Sequence, residues 1–325
     1  MNRRTIRIGF VDFWGDFNCN NNHFVKALES KYDLIIDNRS PEYLFVGTFG
    51  CRHLDYNCPK IYFTGENLVP DFNLFDYAIG FDFLDFGDRY LRLPLYLLRP
   101  NFKELFIEQT INDTEVLHRG FCSMVVSNMR LSSPIRKKFF DSLSSYRDIS
   151  SGGRMWNNVG GPVADKSEFL RNYKFNIAFE NSASVGYTTE KILDAFTSQT
   201  IPIYWGNPNI ERDFNPEAFV CVRDDNDIDR AVEEIIHLDC DDDAYLSMLA
   251  KPKISNPKSL DWFEILVDFL TNIVEKPYKE ARYTSDFGMQ LMHRRHVHLV
   301  GKIAYDWKGD RIFSFVKQLK ERLRL

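Results

Sequence analysis

Long apolar runs are missing from this chain of 325 residues, and no stretch offers the roughly 20 consecutive apolar residues that a membrane-spanning helix needs. The first residues, MNRRTIRIGFVDFWGDF, pass quickly into an alternating strand and then into acidic, Asn-rich sequence. The uninterrupted apolar core of a signal peptide is not there, so the expectation is a cytoplasmic protein. Paired cysteines are absent too. Cys19, Cys51, Cys58, Cys122, Cys221 and Cys240 lie scattered without CxxC spacing, which argues for free thiols over a zinc site or a disulfide framework. Positive charge is not in excess: 41 Lys and Arg stand against 46 Asp and Glu, a net charge of −5, so nothing general points to nucleic acid as a partner. No tandem repeat stands out. No long Pro/Gly/Ser linker marks a boundary either, which leaves the domain junction soft, near Leu105 to Cys122.

What is present is enough apolar material for two cores. Hydrophobic residues make up 44% and aromatics 15%, and the length exceeds the comfortable size of a single core. Ile6 to Val11, Leu34 to Ile36, Tyr43 to Val46, Lys60 to Phe63 and Tyr77 to Phe81 read as strands, with a helix from Phe24 to Tyr32. A second series starts with a strand at Ser123 to Val126 and a helix from Ser133 to Ser144. It ends in a strand at Ala218 to Val222 and helices around Ile228 to Leu238, Asp243 to Leu249 and Leu260 to Val274. Two successive doubly wound α/β domains facing a cleft are the economical reading, with the reaction placed in that cleft. The expected division is 1–120, 121–285 and a basic, amphipathic helical segment from 286 to 325.

The most informative stretch runs from Lys174 to Gly206, KFNIAFENSASVGYTTEKILDAFTSQTIPIYWG. Phe175, Ile177 and Phe179 alternate as in a strand, Ile192, Leu193 and Phe196 form one helical face, and Ile201 to Trp205 read as the next buried strand. This is one βαβ unit, and ligands of parallel α/β sheets bind where such a strand gives way to its helix. Thr188 or Thr189 can cap that helix, whose first amides have no intrahelical acceptor and therefore favour an anion. Lys191 adds a full positive charge. Glu190 is suited to accept from ligand hydroxyls, and Asn181 and Tyr187 supply neutral hydrogen bonds. Taken singly, each of these residues is more simply an ordinary exposed loop or first-turn residue; together they suit a sugar diphosphate.

The order FEN, a short loop, YTTEK at a helix start, then IPIYWG closely resembles the donor-site motif of glycosyltransferase family 10, the α-1,3/1,4-fucosyltransferases. The segment Tyr62 to Leu97 is similar to the acceptor-side part of the bacterial members, and Phe121 to Asn128 and Asp213 to Val220 are also like the family. Residues 5 to 275 are covered, roughly. The resemblance implies a GT-B architecture of two Rossmann-like domains, the second binding the donor and the first the acceptor. It implies GDP-β-L-fucose as donor substrate, an oligosaccharide acceptor of N-acetyllactosamine type, and inverting α-1,3 or α-1,3/1,4 transfer. A different donor or acceptor on the same fold, or a silent glycan-binding or nucleotide-sugar-binding protein, are the alternatives.

An inverting transfer needs a carboxylate near the acceptor hydroxyl as general base. Glu66 follows Tyr62 to Gly65 at a strand end. Without the family it reads best as a loop carboxylate holding Asn67 or a neighbouring amide; the resemblance reverses that order, because Glu66 stands in the family's TGEN-like segment. Arg154, in SSGGRMWNNVGG, is a second candidate cation for the diphosphate, since Gly152 and Gly153 permit close backbone approach and a guanidinium grips phosphate in two places. The family's arginine lies closer to the Asn-rich turn, at the position of Trp156, so Arg154 either reaches by another loop path or is a surface residue. The Asp-x-Asp spacings in Asp225 to Asp229 and Asp239 to Asp243 precede helices and read as caps before metal ligands. His293, His296 and His298 enclose Arg294 and Arg295, which oppose a divalent cation. No obligatory metal or cofactor is expected, and that segment reads as a basic surface cluster.

At the C-terminus, Ile312, Val316, Leu319 and Leu323 recur on one helical face beside Arg311, Lys317, Lys320, Arg322 and Arg324. Such a segment either contacts a membrane peripherally, at the inner face, or packs its stripe on the protein body; its shortness favours packing.

Overall fold

In a computed structural model, residues 3–107, 110–127, 133–285 and 287–302 are described. The first unit is built on six parallel strands: β1 (Thr5–Val11), β2 (Asp33–Ile36), β3 (Tyr43–Val46), β4 (Lys60–Phe63), β5 (Tyr77–Gly80) and β6 (Tyr90–Arg92), in the order β2-β1-β3-β4-β5-β6. β3, β4 and β5 are buried along their whole length, as parallel strands covered on both faces should be. Helix α1 (His23–Glu29) follows β1; Asn22 caps it by accepting from the amides of Phe24 and Val25, and its buried face is Phe24, Val25, Ala27 and Leu28.

The second unit holds α2 (Asp113–Leu117), β7 (Gly120–Met124), α3 (Ile135–Ser144), β8 (Ile149–Ser151), α4 (Lys166–Arg171), β9 (Tyr173–Phe179), α5 (Glu190–Thr197), β10 (Ile201–Trp205), β11 (Val220–Cys221), α6 (Ile228–Cys240) and α7 (Asp242–Ala250). Its five strands are parallel, in the order β11-β10-β9-β7-β8. The chain winds outward from β7 to β8, then returns to the other side of β7 to lay down β9. The C-terminal ends of β7 and β9 therefore form the topological switch point, where open α/β sheets bind ligands. Phe139 from α3, Ile177 and Phe179 from β9, and Ile203 from β10 lie in one core beneath it.

After α7 the chain returns to the first unit with α8 (Trp262–Glu275) and α9 (Gly288–Gly301). The division thus differs from the expected 1–120, 121–285 and 286–325. Phe81–Phe83 and Leu93–Leu260 make the second unit, and everything else from Met1–Gly80, Leu84–Arg92 and Asp261 onward makes the first. The reason is the amphipathic α8, which buries Leu266, Leu270, Ile273 and Val274 and takes hydrogen bonds from first-unit side chains. The Tyr32 hydroxyl donates to Glu275 Oε1 (2.6 Å), and Arg4 donates to the Val274 carbonyl (3.0 Å). No helix among the described residues is long and apolar enough to cross a membrane. Ile312, Val316, Leu319 and Leu323, with their flanking basic residues, lie outside the described residues.

Candidate functional site

β9 ends in the buried apolar run Ile177 to Phe179 and is followed at the switch point by Glu180, completely buried. An ionised carboxylate in that position requires partners. It has three: the Thr189 amide donates to Oε1 (2.7 Å), the Thr189 hydroxyl reaches both oxygens (2.9 and 2.7 Å), and Lys191 Nζ donates to Oε2 (2.8 Å). Gly206 makes room for this carboxylate, since a β-carbon there would lie 2.5 Å from Glu180 Cγ. Thr189 occupies the N-cap position of α5, as expected, but its hydroxyl is committed to Glu180 and makes no capping bond. The first-turn amides of α5 are consequently not covered by a cap side chain, which leaves that helix start suited to an anion.

Lys191 also donates to the Thr189 hydroxyl (2.9 Å), so two of its three N–H groups are used and its side chain keeps 22% exposure. Burial opposes its charge; Glu180 and Glu190 outweigh burial, and its pKa is raised above the ordinary lysine value. Glu190 is half-buried, with its carboxylate 4.0 Å from Lys191. Burial pushes its pKa up, but Lys191, its own backbone amide, Lys166 and Arg99 prevail and hold it below the ordinary carboxylate value. It is thus an ionised acceptor, ready for hydroxyl groups.

The structure adds a residue that the sequence reading passed over. Arg136, on α3, is 1% exposed and donates to the Phe179 carbonyl (2.5 Å) and to Asn181 Oδ1 (3.0 Å). Burial lowers its pKa, while Glu180 and Tyr187 oppose that shift. Its buried Nε has no acceptor among the described residues. A guanidinium spaced within a helix pattern looks like a solvated helix residue; the available signal was only that Ile135 and Phe139, also buried, flank it on α3. Glu180 was visible inside the FEN motif yet had no assigned role.

The loop between β9 and α5 turns at Gly186, whose φ is +84° and whose added β-carbon would meet the Phe81 carbonyl at 2.3 Å. Its amide donates to Asn207 Oδ1 (2.8 Å). This turn sets Tyr187 as a buried ring packed edge-on against Phe81, centroids 5.0 Å apart. Asn181, Tyr187, Glu190 and Lys191 are therefore brought to one end of one sheet, together with Glu180 and Arg136. Arg154 sits exposed on the turn after β8, and no hydrogen bond or ion pair holds it among the described residues. Gly153 before it packs so closely on Val126 that a β-carbon would lie 2.0 Å from that carbonyl.

Glu66 belongs to the first unit, beyond the C-terminal end of β4. Thr64 holds the turn: its hydroxyl accepts from the Glu66 amide (3.0 Å) and donates to the Glu66 carbonyl (2.9 Å). The carboxylate itself is exposed and has no hydrogen-bonding partner among the described residues, Asn67 included. The acidic runs have other duties. Asp241 caps α7 through the Ala244 amide, Asp227 pairs with Arg230, and Asp239 pairs with Arg147. His293 bonds Asp71 (2.7 Å) and His298 faces Asp55 (3.7 Å), so these histidines are partnered by carboxylates of the first unit. None of the six cysteines forms a disulfide among the described residues.

Residues 8–99 match the model "Alpha-(1,3)-fucosyltransferase FucT N-terminal domain", and residues 118–262 match "Glycosyltransferase family 10 (fucosyltransferase) C-term". The Alpha-(1,3)-fucosyltransferase FucT of Helicobacter pylori is 39% identical over 285 residues, 75% of this chain and 59% of its own length. The human 3-galactosyl-N-acetylglucosaminide 4-alpha-L-fucosyltransferase FUT3 is 33% identical over 164 residues, 49% of this chain and 43% of its own. A structure described as "Crystal Structure of alpha1,3-Fucosyltransferase with GDP-fucose" superposes with a TM-score of 0.72 at 34% identity, over 86% of this chain and 93% of that one. The fold is of the GT-B type, with two parallel α/β sheets flanked by helices. The chain belongs to glycosyltransferase family 10, the fucosyltransferases. It spans 59% of the length of the Helicobacter relative.

Proposed function

We propose that this chain is an inverting α-1,3-fucosyltransferase that moves L-fucose from GDP-β-L-fucose to the GlcNAc of an N-acetyllactosamine-type glycan. The observation that carries the proposal is the buried Glu180, which locks Lys191 at the uncapped start of α5 with Arg136 beside it. Lys191, Arg136 and the α5 amides stabilise the diphosphate as negative charge grows on its bridging oxygen. Glu190 accepts from ribose or fucose hydroxyls, and Asn181 and Tyr187 position the donor. Glu66 takes the proton of the acceptor hydroxyl as its oxygen bonds to the anomeric carbon; the bond to the diphosphate breaks, and GDP leaves with the electron pair. The relatives' names support fucose and the α-1,3 linkage, and the solved relative supports GDP-fucose. The test is incubation with a panel of nucleotide sugars and defined oligosaccharides, followed by product mass and linkage. Transfer from GDP-fucose alone supports the proposal, and transfer from another donor refutes it.

We place the protein in the cytoplasm, with peripheral contact at the inner face of a membrane. In support, α9 and the residue before it leave Phe287 (84%) and Met289 (78%) largely exposed, with Leu299 and Val300 exposed near the other end. Co-sedimentation with anionic vesicles, comparing the full chain with a folded version ending at Gly309, tests this; equal, salt-insensitive binding of the two would refute a role for the tail.

A further inference from the structure

Lys253 takes no part in the proposed transfer, yet it lines a cavity of about 420 Å³ that lies wholly within the second unit. Phe106, Ile107, Ile111, Phe196 and Leu249 give this cavity its apolar walls. Gln199 and Thr200, which also line it, stand directly before β10, so the cavity lies at the N-terminal edge of the sheet. The donor-site residues follow the C-terminal ends of the strands: Glu190 and Lys191 begin α5, and Phe196 is near its other end. The cavity and the donor residues are thus at opposite ends of one helix. Lys253 is half-buried; its ammonium donates to the Leu249 carbonyl (2.5 Å) and stands 5.5 Å from the centre of the buried Phe196 ring. An ammonium has three N–H groups, and this one finds no other acceptor among the described residues.

The other charged groups of the wall do not balance it. Lys251 is paired with Glu217 (2.8 Å), and Glu104, the one carboxylate among the described lining residues, is exposed and makes no ion pair with Lys253. Burial holds the Lys253 pKa down at about 8, where a carboxylate in contact would have raised it. A cation set against apolar walls without a counter-ion carries a desolvation cost that a bound anion would relieve. The kind of anion follows from the wall. One cation matches one negative charge, whereas a dianion would bring a second charge out of water uncompensated. The five apolar side chains call for an apolar body behind that charge, and the cavity falls in the size range of small-ligand pockets, about 300 to 1,000 Å³. A bare inorganic anion would leave those walls unfilled, and a neutral lipid would leave the ammonium unpaired.

We propose that this cavity binds an amphipathic monocarboxylate, a medium-chain fatty acid, whose carboxylate pairs with Lys253 and whose chain lies against Phe106, Ile107, Ile111, Phe196 and Leu249. The test is calorimetry of the full chain with sodium decanoate, below its micellar range and with GDP present to fill the donor site, beside the unfolding midpoint. Decanoate should bind saturably and raise the midpoint, as a ligand of the folded state alone must. Decanol, with the same chain and no charge, should bind about tenfold or more weakly, the loss expected when a charged hydrogen bond is removed. Lys253→Met should abolish that preference, by weakening decanoate while decanol keeps its affinity. The comparison of the two ligands on the unaltered chain stands even if the variant fails to fold. Absence of saturable decanoate binding, equal affinity of the unaltered chain for decanoate and decanol, or a preference for decanoate retained in folded Lys253→Met would overturn the proposal.

Discussion

Lys191 shows what one residue's surroundings add to its type. As a helix-start lysine in sequence it reads as solvated and free, yet its ammonium neutralises a carboxylate with no exposure at all. Removing it therefore does two things. Lys191→Ala is expected to weaken GDP binding and also to destabilise the second unit by about 3 to 5 kcal/mol, the cost of leaving a buried charge unpaired. Glu180→Gln/Lys191→Met removes both charges and should regain most of that stability without regaining GDP affinity. Denaturant midpoints beside GDP calorimetry check this, and recovery of affinity in the double variant would detach Lys191 from the diphosphate. Glu66 is the simpler case, because its carboxylate has no hydrogen-bonding partner to lose among the described residues. Glu66→Gln should keep GDP-fucose affinity and stability while turnover falls about 10² to 10⁴-fold, the usual range for general-base assistance. Near-normal turnover in the folded variant would remove Glu66 from that role. From their places at a strand end and a helix start alone, both residues read as ordinary loop and first-turn residues, and the family resemblance made them candidates. The Glu180 partnership and the buried Arg136 were not legible, because they depend on contacts 11 and 45 residues apart.

Among the elements, β9, α5 and β10 were readable because Phe175, Ile177 and Phe179 alternate and Ile192, Leu193 and Phe196 keep helical spacing. β6 and β8 were not, since three residues carry no measurable period. The ends of elements hide further physics. Beyond α7, Lys253 donates to the Leu249 carbonyl (2.5 Å), and burial, with no carboxylate partner among the described residues, pushes its pKa down to about 8. A lysine with a lowered folded-state pKa destabilises the fold wherever the unfolded chain holds the proton more tightly. The penalty is complete below about pH 8 and is relieved as pH rises towards 10.5, the ordinary value. Lys253→Met should accordingly stabilise the protein at pH 7 by up to roughly 3 kcal/mol, and by little above pH 10.5. Urea unfolding across that range checks the prediction; an equal effect at both ends would show that packing, and not the proton, is responsible.

For the whole molecule, composition and the spacing of apolar segments led to two doubly wound α/β units, and two parallel sheets are what the chain forms. The return of α8 and α9 to the first unit was not legible. Nothing in Leu266, Leu270, Ile273 or Val274 says which apolar surface they will cover; that is settled by Tyr32, Tyr43 and Arg4 at the far end of the chain. The central claim remains the transfer reaction, and its stereochemistry is the most direct test of it. Proton NMR of the full chain with GDP-β-L-fucose and N-acetyllactosamine should show GDP release matched by one new α-fucoside at O3 of GlcNAc. A β-fucoside, or free fucose with the oligosaccharide unchanged, would contradict it.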